Sequence, residues 1–129
     1  MKKEELIFLV DQVIKKESIY ASKKEIIQKL TSLRIDISDD LELINDVINT
    51  VYQSLLEPIV EDYIISYCDC CSRNDVKMAI YLDYATINSD LSNVISSTFD
   101  NVLNKLVSGG FIEIDRFGYI LIKKGRSKK

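Results

Sequence analysis

Apolar residues recur at helical spacing over most of the chain. Leu6, Ile7, Val10, Val13 and Ile14 predict a helix over residues 3–16. Ser22-Lys23-Lys24-Glu25 has the form of a capping box, in which the serine hydroxyl accepts from a first-turn N–H and the glutamate reaches back. It opens a second helix with Ile26, Ile27, Leu30 and Leu33 on one face. After a short connector at Ile35 to Ile37, Ser38 or Asp39 caps a third helix, predicted over 38–57. Its apolar set, Leu41, Ile44, Val47, Ile48, Val51, Tyr52, Leu55 and Leu56, is the clearest amphipathic pattern in the chain. Pro58, the single proline, suits the first turn of a new helix, where its missing N–H leaves nothing unpaired. A fourth helix is therefore predicted over 58–71, a fifth over 75–85 after the capping turn Ser72 to Asp75, and a sixth over 90–107. Gly109-Gly110 stops the sixth. Two short apolar runs, FIEI and YILI, then flank a DRFG turn. They predict a hairpin whose turn begins at Asp115 and places Gly118 in the left-handed region.

One pattern recurs within the chain. Ile37-Ser38-Asp39-Asp40-Leu41 and Ile87-Asn88-Ser89-Asp90-Leu91 each precede a long helix. The five positions are dominated by capping residues, so two independent helix starts explain the echo more simply than duplication.

Charge is distributed unevenly over the 129 residues. Residues 1–30 carry seven basic and five acidic groups, residues 31–103 three and thirteen, and residues 104–129 seven and two. The net charge of −3 argues against indiscriminate nucleic-acid binding, whereas the basic end on an acidic body points to partners. No apolar stretch reaches the roughly 18 residues needed to cross a bilayer, and no signal peptide is read at the N-terminus. The expectation is a cytoplasmic, intracellular protein with no membrane partner.

Histidine is absent, which removes the commonest general base and excludes a Ser-His or Cys-His nucleophile pair within the chain. Tyr67-Cys68-Asp69-Cys70-Cys71 brings three thiols into four positions, but a structural zinc wants four ligands and no fourth cysteine exists. On the predicted helix Cys68 and Cys71 share the apolar face and Cys70 points elsewhere. Buried structural thiols, an intermolecular disulfide or redox role, and a metal shared with a second chain all remain open, the first being the simplest. Asp36, Asp39, Asp40, Glu42 and Asp46 fit a helix cap and an exposed face better than catalysis. No phosphate-cradling glycine motif occurs, so neither cofactor nor catalytic residue nor metal ligand is assigned.

Three helices followed by a hairpin entered through LNKLVSGGFIEIDRFGYILI resemble the winged-helix form of the helix-turn-helix. Leu103, Leu106, Gly110, Phe111 and Ile112 match the family's helix end and strand entry. The resemblance covers residues 58–124 and implies a mainly α winged helix-turn-helix with a C-terminal two-stranded β-hairpin and an N-terminal helical extension. Residues 1–57 then form a three-helix region, serving as a second helix-turn-helix-like unit or a dimerisation element, and residues 125–129 a basic tail. The family places its third helix, here 90–107, in the major groove. Leu91, Ile95, Phe99, Val102 and Leu106 would face the core. The opposite face would present Ser92, Asn93, Ser96, Ser97, Asn101 and Asn104, together with Asp100, to DNA. Small hydroxyl and amide groups can read base edges, but this face lacks arginine, and cations supply most phosphate affinity. Arg116 at the wing tip and Lys123, Lys124, Arg126, Lys128 and Lys129 in the tail complete the expected DNA contacts.

The resulting expectation is a non-catalytic DNA-binding protein regulating transcription, with double-stranded DNA as partner and a homodimer packed through helix 38–57. The alternative is a winged-helix protein-interaction subunit of a transcription, replication or other assembly, which the neutral helix face and acidic middle favour. Fold alone does not choose between the two.

Overall fold

The computed structural model describes residues 2–35 and 41–122. It is mainly helical and ends in a small antiparallel sheet. The elements are α1 (Lys3–Glu17), α2 (Lys23–Ser32), α3 (Leu41–Ser66), α4 (Arg73–Ile80), α5 (Ser92–Ser108), β1 (Ile112–Ile114) and β2 (Ile120–Ile122). The cap expected at Ser38 or Asp39 lies outside the described residues.

The local signals behave as physical chemistry requires. Ser22 Oγ accepts from Glu25 N at 3.2 Å, and the Glu25 carboxylate accepts from Ser22 N at 3.4 Å, closing the capping box of α2. At the other end of the chain α5 stops in a Schellman motif: Gly110 N donates to Val107 O and Phe111 N to Leu106 O, each at 3.0 Å. Gly110 adopts φ 75°, where a side chain would be strained. In the hairpin turn Gly118 N donates to Asp115 O at 3.0 Å, and Asp115 Oδ1 accepts from Phe117 N and Tyr119 N at 2.9 Å each. Gly118 takes the left-handed conformation, φ 86°. The strands pair Ile112 with Ile122 and Ile114 with Ile120, so the isoleucines share the face that packs inward.

Three expectations are corrected. The helices predicted over 38–57 and 58–71 are one 26-residue helix that runs through Pro58, so the boundary drawn at 57/58 falls inside it. An interior proline costs about 3 kcal/mol through its lost hydrogen bond and its clash with the preceding turn. Here Pro58 and Ser54, whose carbonyl loses its donor, are both exposed, so water can take up the freed group. Ile44, Val47, Ile48, Val51, Tyr52, Leu56, Val60 and Ile64 are buried along the same helix, at about 1.5–3 kcal/mol for each large apolar side chain. That burial outweighs the local penalty. These side chains lie in the core of their own chain.

Second, the helix ends at Ser66, and Tyr67–Cys70 form a turn with Asp69 at φ 65°. Cys68 and Cys71 are therefore not a helical pair. Third, the helix predicted over 75–85 starts earlier, at Arg73, under a Ser72 cap, and widens into a π-helical turn at Tyr81–Ala85. The helix predicted from residue 90 opens as a 3₁₀ turn at Ser89–Leu91, with Asn88 Oδ1 accepting from Asp90 N at 3.2 Å.

The helix α3 packs chiefly against α5 and α1, and α2 leans on α1. A buried polar latch ties the N-terminal helices to the remainder. Asn88, only 2% exposed, donates through Nδ2 to Ala21 O (2.9 Å), Ile19 O (3.1 Å) and Tyr52 Oη (3.3 Å). Tyr52 Oη itself donates to Ala21 O at 2.6 Å. Beside them Asp90 Oδ2 accepts from Lys23 N at 2.8 Å, an N-terminal contact for α2 supplied from 67 residues away. Tyr20 stacks on Tyr84, ring centroids 5.6 Å apart.

Candidate nucleic-acid interface

Buried and exposed positions divide α5 lengthwise. Val94, Ile95, Thr98, Phe99, Val102, Leu103 and Leu106 are buried against the core. At about 100° per residue, Ser92, Asn93, Ser96, Ser97, Asn101 and Asn104 all fall on the remaining half of the helix surface. Asn93, Ser97, Asn101 and Asn104 are exposed, and Ser92 and Ser96 are half-buried. The helix therefore brings the six residues together as one polar strip.

The strip is not uniform. Ser97 Oγ donates to Val94 O at 3.2 Å and Asn93 O at 3.4 Å, so its hydroxyl hydrogen is engaged within the helix and only its lone pairs face outward. Asn101 and Asn104, with Lys105 and Ser108, line an open cleft of about 340 Å³ against Gln53 and Glu57 of α3. A carboxylate there repels phosphate, which leaves the N-terminal part of the strip better suited to an anion. Asp100 is partly neutralised: Lys77 Nζ lies 3.7 Å from its carboxylate and 5.6 Å from the Phe99 ring centroid.

Arg116 is exposed at the hairpin tip, its guanidinium 5.3 Å from the centroid of the Phe117 ring. Among the described residues no hydrogen bond or ion pair joins it to the α5 strip. Lys123, Lys124, Arg126, Lys128 and Lys129 lie outside the described residues.

Several further residues lie beside the hairpin and the start of α5. Residues 69–73 lie along the free edge of β2. Ser72 bridges Tyr119, Arg73 N donates to Gly118 O (2.7 Å), Asp69 N donates to Ile120 O (2.8 Å) and Ile120 N to Cys71 O (3.3 Å). Asp69 Oδ1 also accepts from Ile122 N at 3.2 Å. The hairpin is thereby anchored to the α3–α4 link, with Arg73 beside its turn. Phe117 is 72% exposed and Tyr119 is also exposed, an aromatic surface at the hairpin tip. The only sequence signal for it was a phenylalanine in a turn otherwise built from polar residues and glycine. Lys23, held to Asp90 through its backbone, places α2 at the entry to α5.

A second surface is apolar. Ile65, Leu106, Phe111, Ile112 and Ile122 line a groove of about 280 Å³ with Glu61 at its edge. The thiols do not converge. Cys68 Sγ donates to Ile64 O at 3.1 Å, whereas Cys70 Sγ and Cys71 Sγ approach to 2.9 Å. Among the described residues no group of three or more His, Cys, Asp or Glu side chains is arranged to hold a metal ion.

Comparison of the chain with protein-family models, curated proteins and solved structures returns no match. The functional reading therefore rests on the geometry. Among the described residues no helix is long and apolar enough to cross a membrane.

Proposed function

We propose that the chain is a winged-helix DNA-binding protein without catalytic activity, acting as a transcriptional regulator. One observation supports this above the others. A helix, an edge segment, two further helices and a hairpin follow in that order, and the last helix before the hairpin carries a polar strip on which Asn93, Ser97, Asn101 and Asn104 are exposed. In this reading α5 enters the major groove with Asn93 and Ser97 leading, and Arg116 approaches the backbone or minor groove from the hairpin. Phosphate affinity comes from Arg73, Arg116 and the lysine-rich ends, because the strip itself has no arginine. A homodimer would double those cationic ends.

The test is an anisotropy titration against duplex DNA at two salt concentrations. Binding should weaken with salt along a log–log slope of about −0.9 per phosphate neutralised. Arg116→Ala should reduce the magnitude of that slope by about 1, and deletion of residues 123–129 should reduce it further. Absence of binding at low salt would defeat the reading. The apolar groove at Ile65, Leu106 and Phe111 favours the second one, a protein-interaction subunit, which predicts no DNA binding at any salt concentration.

A further inference from the structure

We propose that Cys70 and Cys71 form a vicinal dithiol that closes reversibly to a disulfide, and that closure loosens the anchorage of β2. The inference is independent of the DNA reading, because it concerns only the hairpin and its support. Both cysteines are free, adjacent and outside any helix, and their sulfurs are 2.9 Å apart. Cys70 is exposed and Cys71 half-buried, so a small oxidant has access to the pair. Cys68, the third thiol, donates instead to the carbonyl of Ile64, which separates it from them.

The chemistry assigns different parts to the two sulfurs. The hydrogen bond with Cys70, helped by burial, pushes the Cys71 thiol up to about 11, so Cys71 keeps its proton. Cys70, the more exposed of the two, is the sulfur that an oxidant reaches first. Taking hydrogen peroxide as oxidant, the Cys70 thiolate attacks one oxygen, the O–O bond breaks, and the departing hydroxide is protonated to water. Cys71 sulfur next attacks the resulting sulfenic sulfur. The S–O bond breaks, and the Cys71 proton leaves with the hydroxyl group as a second water. Adjacent α-carbons are about 3.8 Å apart, below the roughly 4.4–6.8 Å that relaxed disulfides span. The closed ring is strained, and strained disulfides are the readily reduced, regulatory kind.

The ring includes the Cys70–Cys71 peptide, and the same short segment holds β2. Cys71 O accepts from Ile120 N, Asp69 N donates to Ile120 O, and Asp69 Oδ1 accepts from Ile122 N. Re-aiming that peptide pulls on all three bonds.

The full chain is treated with peroxide, the remaining thiols are alkylated, and the tryptic peptide containing all three cysteines is sequenced by mass spectrometry. The expected product has lost two hydrogens, carries an alkyl group on Cys68 alone, and reverts with dithiothreitol. Amide exchange should show a loss of protection at Ile120 and Ile122 in the oxidised form. Cys68→Ser should behave as the parent, and Cys70→Ser should form no bridge. Circular dichroism of both variants confirms that they are folded. Bridging through Cys68, cross-linked dimers, or sulfinic acid without a bridge would each overturn the site. A Cys70–Cys71 bridge with unchanged exchange at Ile120 and Ile122 would overturn the coupling to β2.

Discussion

Replacing Asn88 with alanine tests whether the N-terminal helices are bound to the remainder mainly through the buried latch. The side chain donates to Ile19 O and Ala21 O and accepts from Asp90 N. Ala21 O keeps the Tyr52 hydroxyl at 2.6 Å, so the loss there is a shared bond worth about 1 kcal/mol. Ile19 O has no other partner among the described residues, and stranding it costs about 1–3 kcal/mol. The substitution also removes the acceptor of the Asp90 backbone N–H, in the residue whose carboxylate holds Lys23 N. The expected destabilisation is about 2–4 kcal/mol, read by urea unfolding as a lower midpoint at unchanged slope. The melting temperature should fall by roughly 10 °C for a chain of this size. Asn45→Ala, at an exposed position of α3, should stay within about 0.5 kcal/mol of the parent. A double-mutant cycle with Tyr52→Phe should return a coupling of about 0.5–2 kcal/mol, since the two side chains touch. A loss below about 1 kcal/mol for Asn88→Ala, or no coupling to Tyr52, would refute the latch.

Pro58→Ala restores an N–H to the interior of α3 and should raise stability by about 1–3 kcal/mol, measured in the same urea assay. Thr98 Oγ1 is buried without a hydrogen-bond partner among the described residues, so Thr98→Val should leave stability unchanged or raise it by about 1 kcal/mol. Burial raises the Tyr52 hydroxyl to about 12 from the usual 10.0. The native state therefore holds its proton where the unfolded chain has released it. The associated stability is complete below pH 10 and is lost as pH rises towards 12. At about 1.4 kcal/mol per pKa unit, and allowing for solvent screening, the loss is about 1–2 kcal/mol; Tyr52→Phe should lack that component of the alkaline decline.

The elements most legible in the sequence are those whose partners are two to five residues away. Ser22 and Glu25 bond each other, Asp115 bonds its own turn, and Gly110 ends the helix that precedes it. The polar strip of α5 was equally legible, because helical spacing alone groups Ser92 through Asn104 on one side. Pro58 was misread because the local rule was applied without the burial that overrides it. The helical spacing of the cysteines was misread with it, since the helix ends at Ser66, although Cys68 and Cys71 still pack against the core and Cys70 is exposed. The echo around Asn88 and Asp90 was read as helix capping, and Asn88 does cap locally. Their main partners, however, lie 36 to 69 residues earlier.

The sequence by itself determined a mainly helical chain closed by a hairpin, with polar and apolar faces assigned along each helix. Those features follow from backbone periodicity and from caps that satisfy the nearest unpaired groups. Only the tertiary structure decided that α3 continues through Pro58, that Asn88 binds the α1–α2 turn, and that residues 69–73 carry the hairpin. The physical reason is that long-range burial and hydrogen bonding depend on which distant segments meet. No local pattern encodes the 53 residues that separate Asp69 from the Ile122 amide it receives.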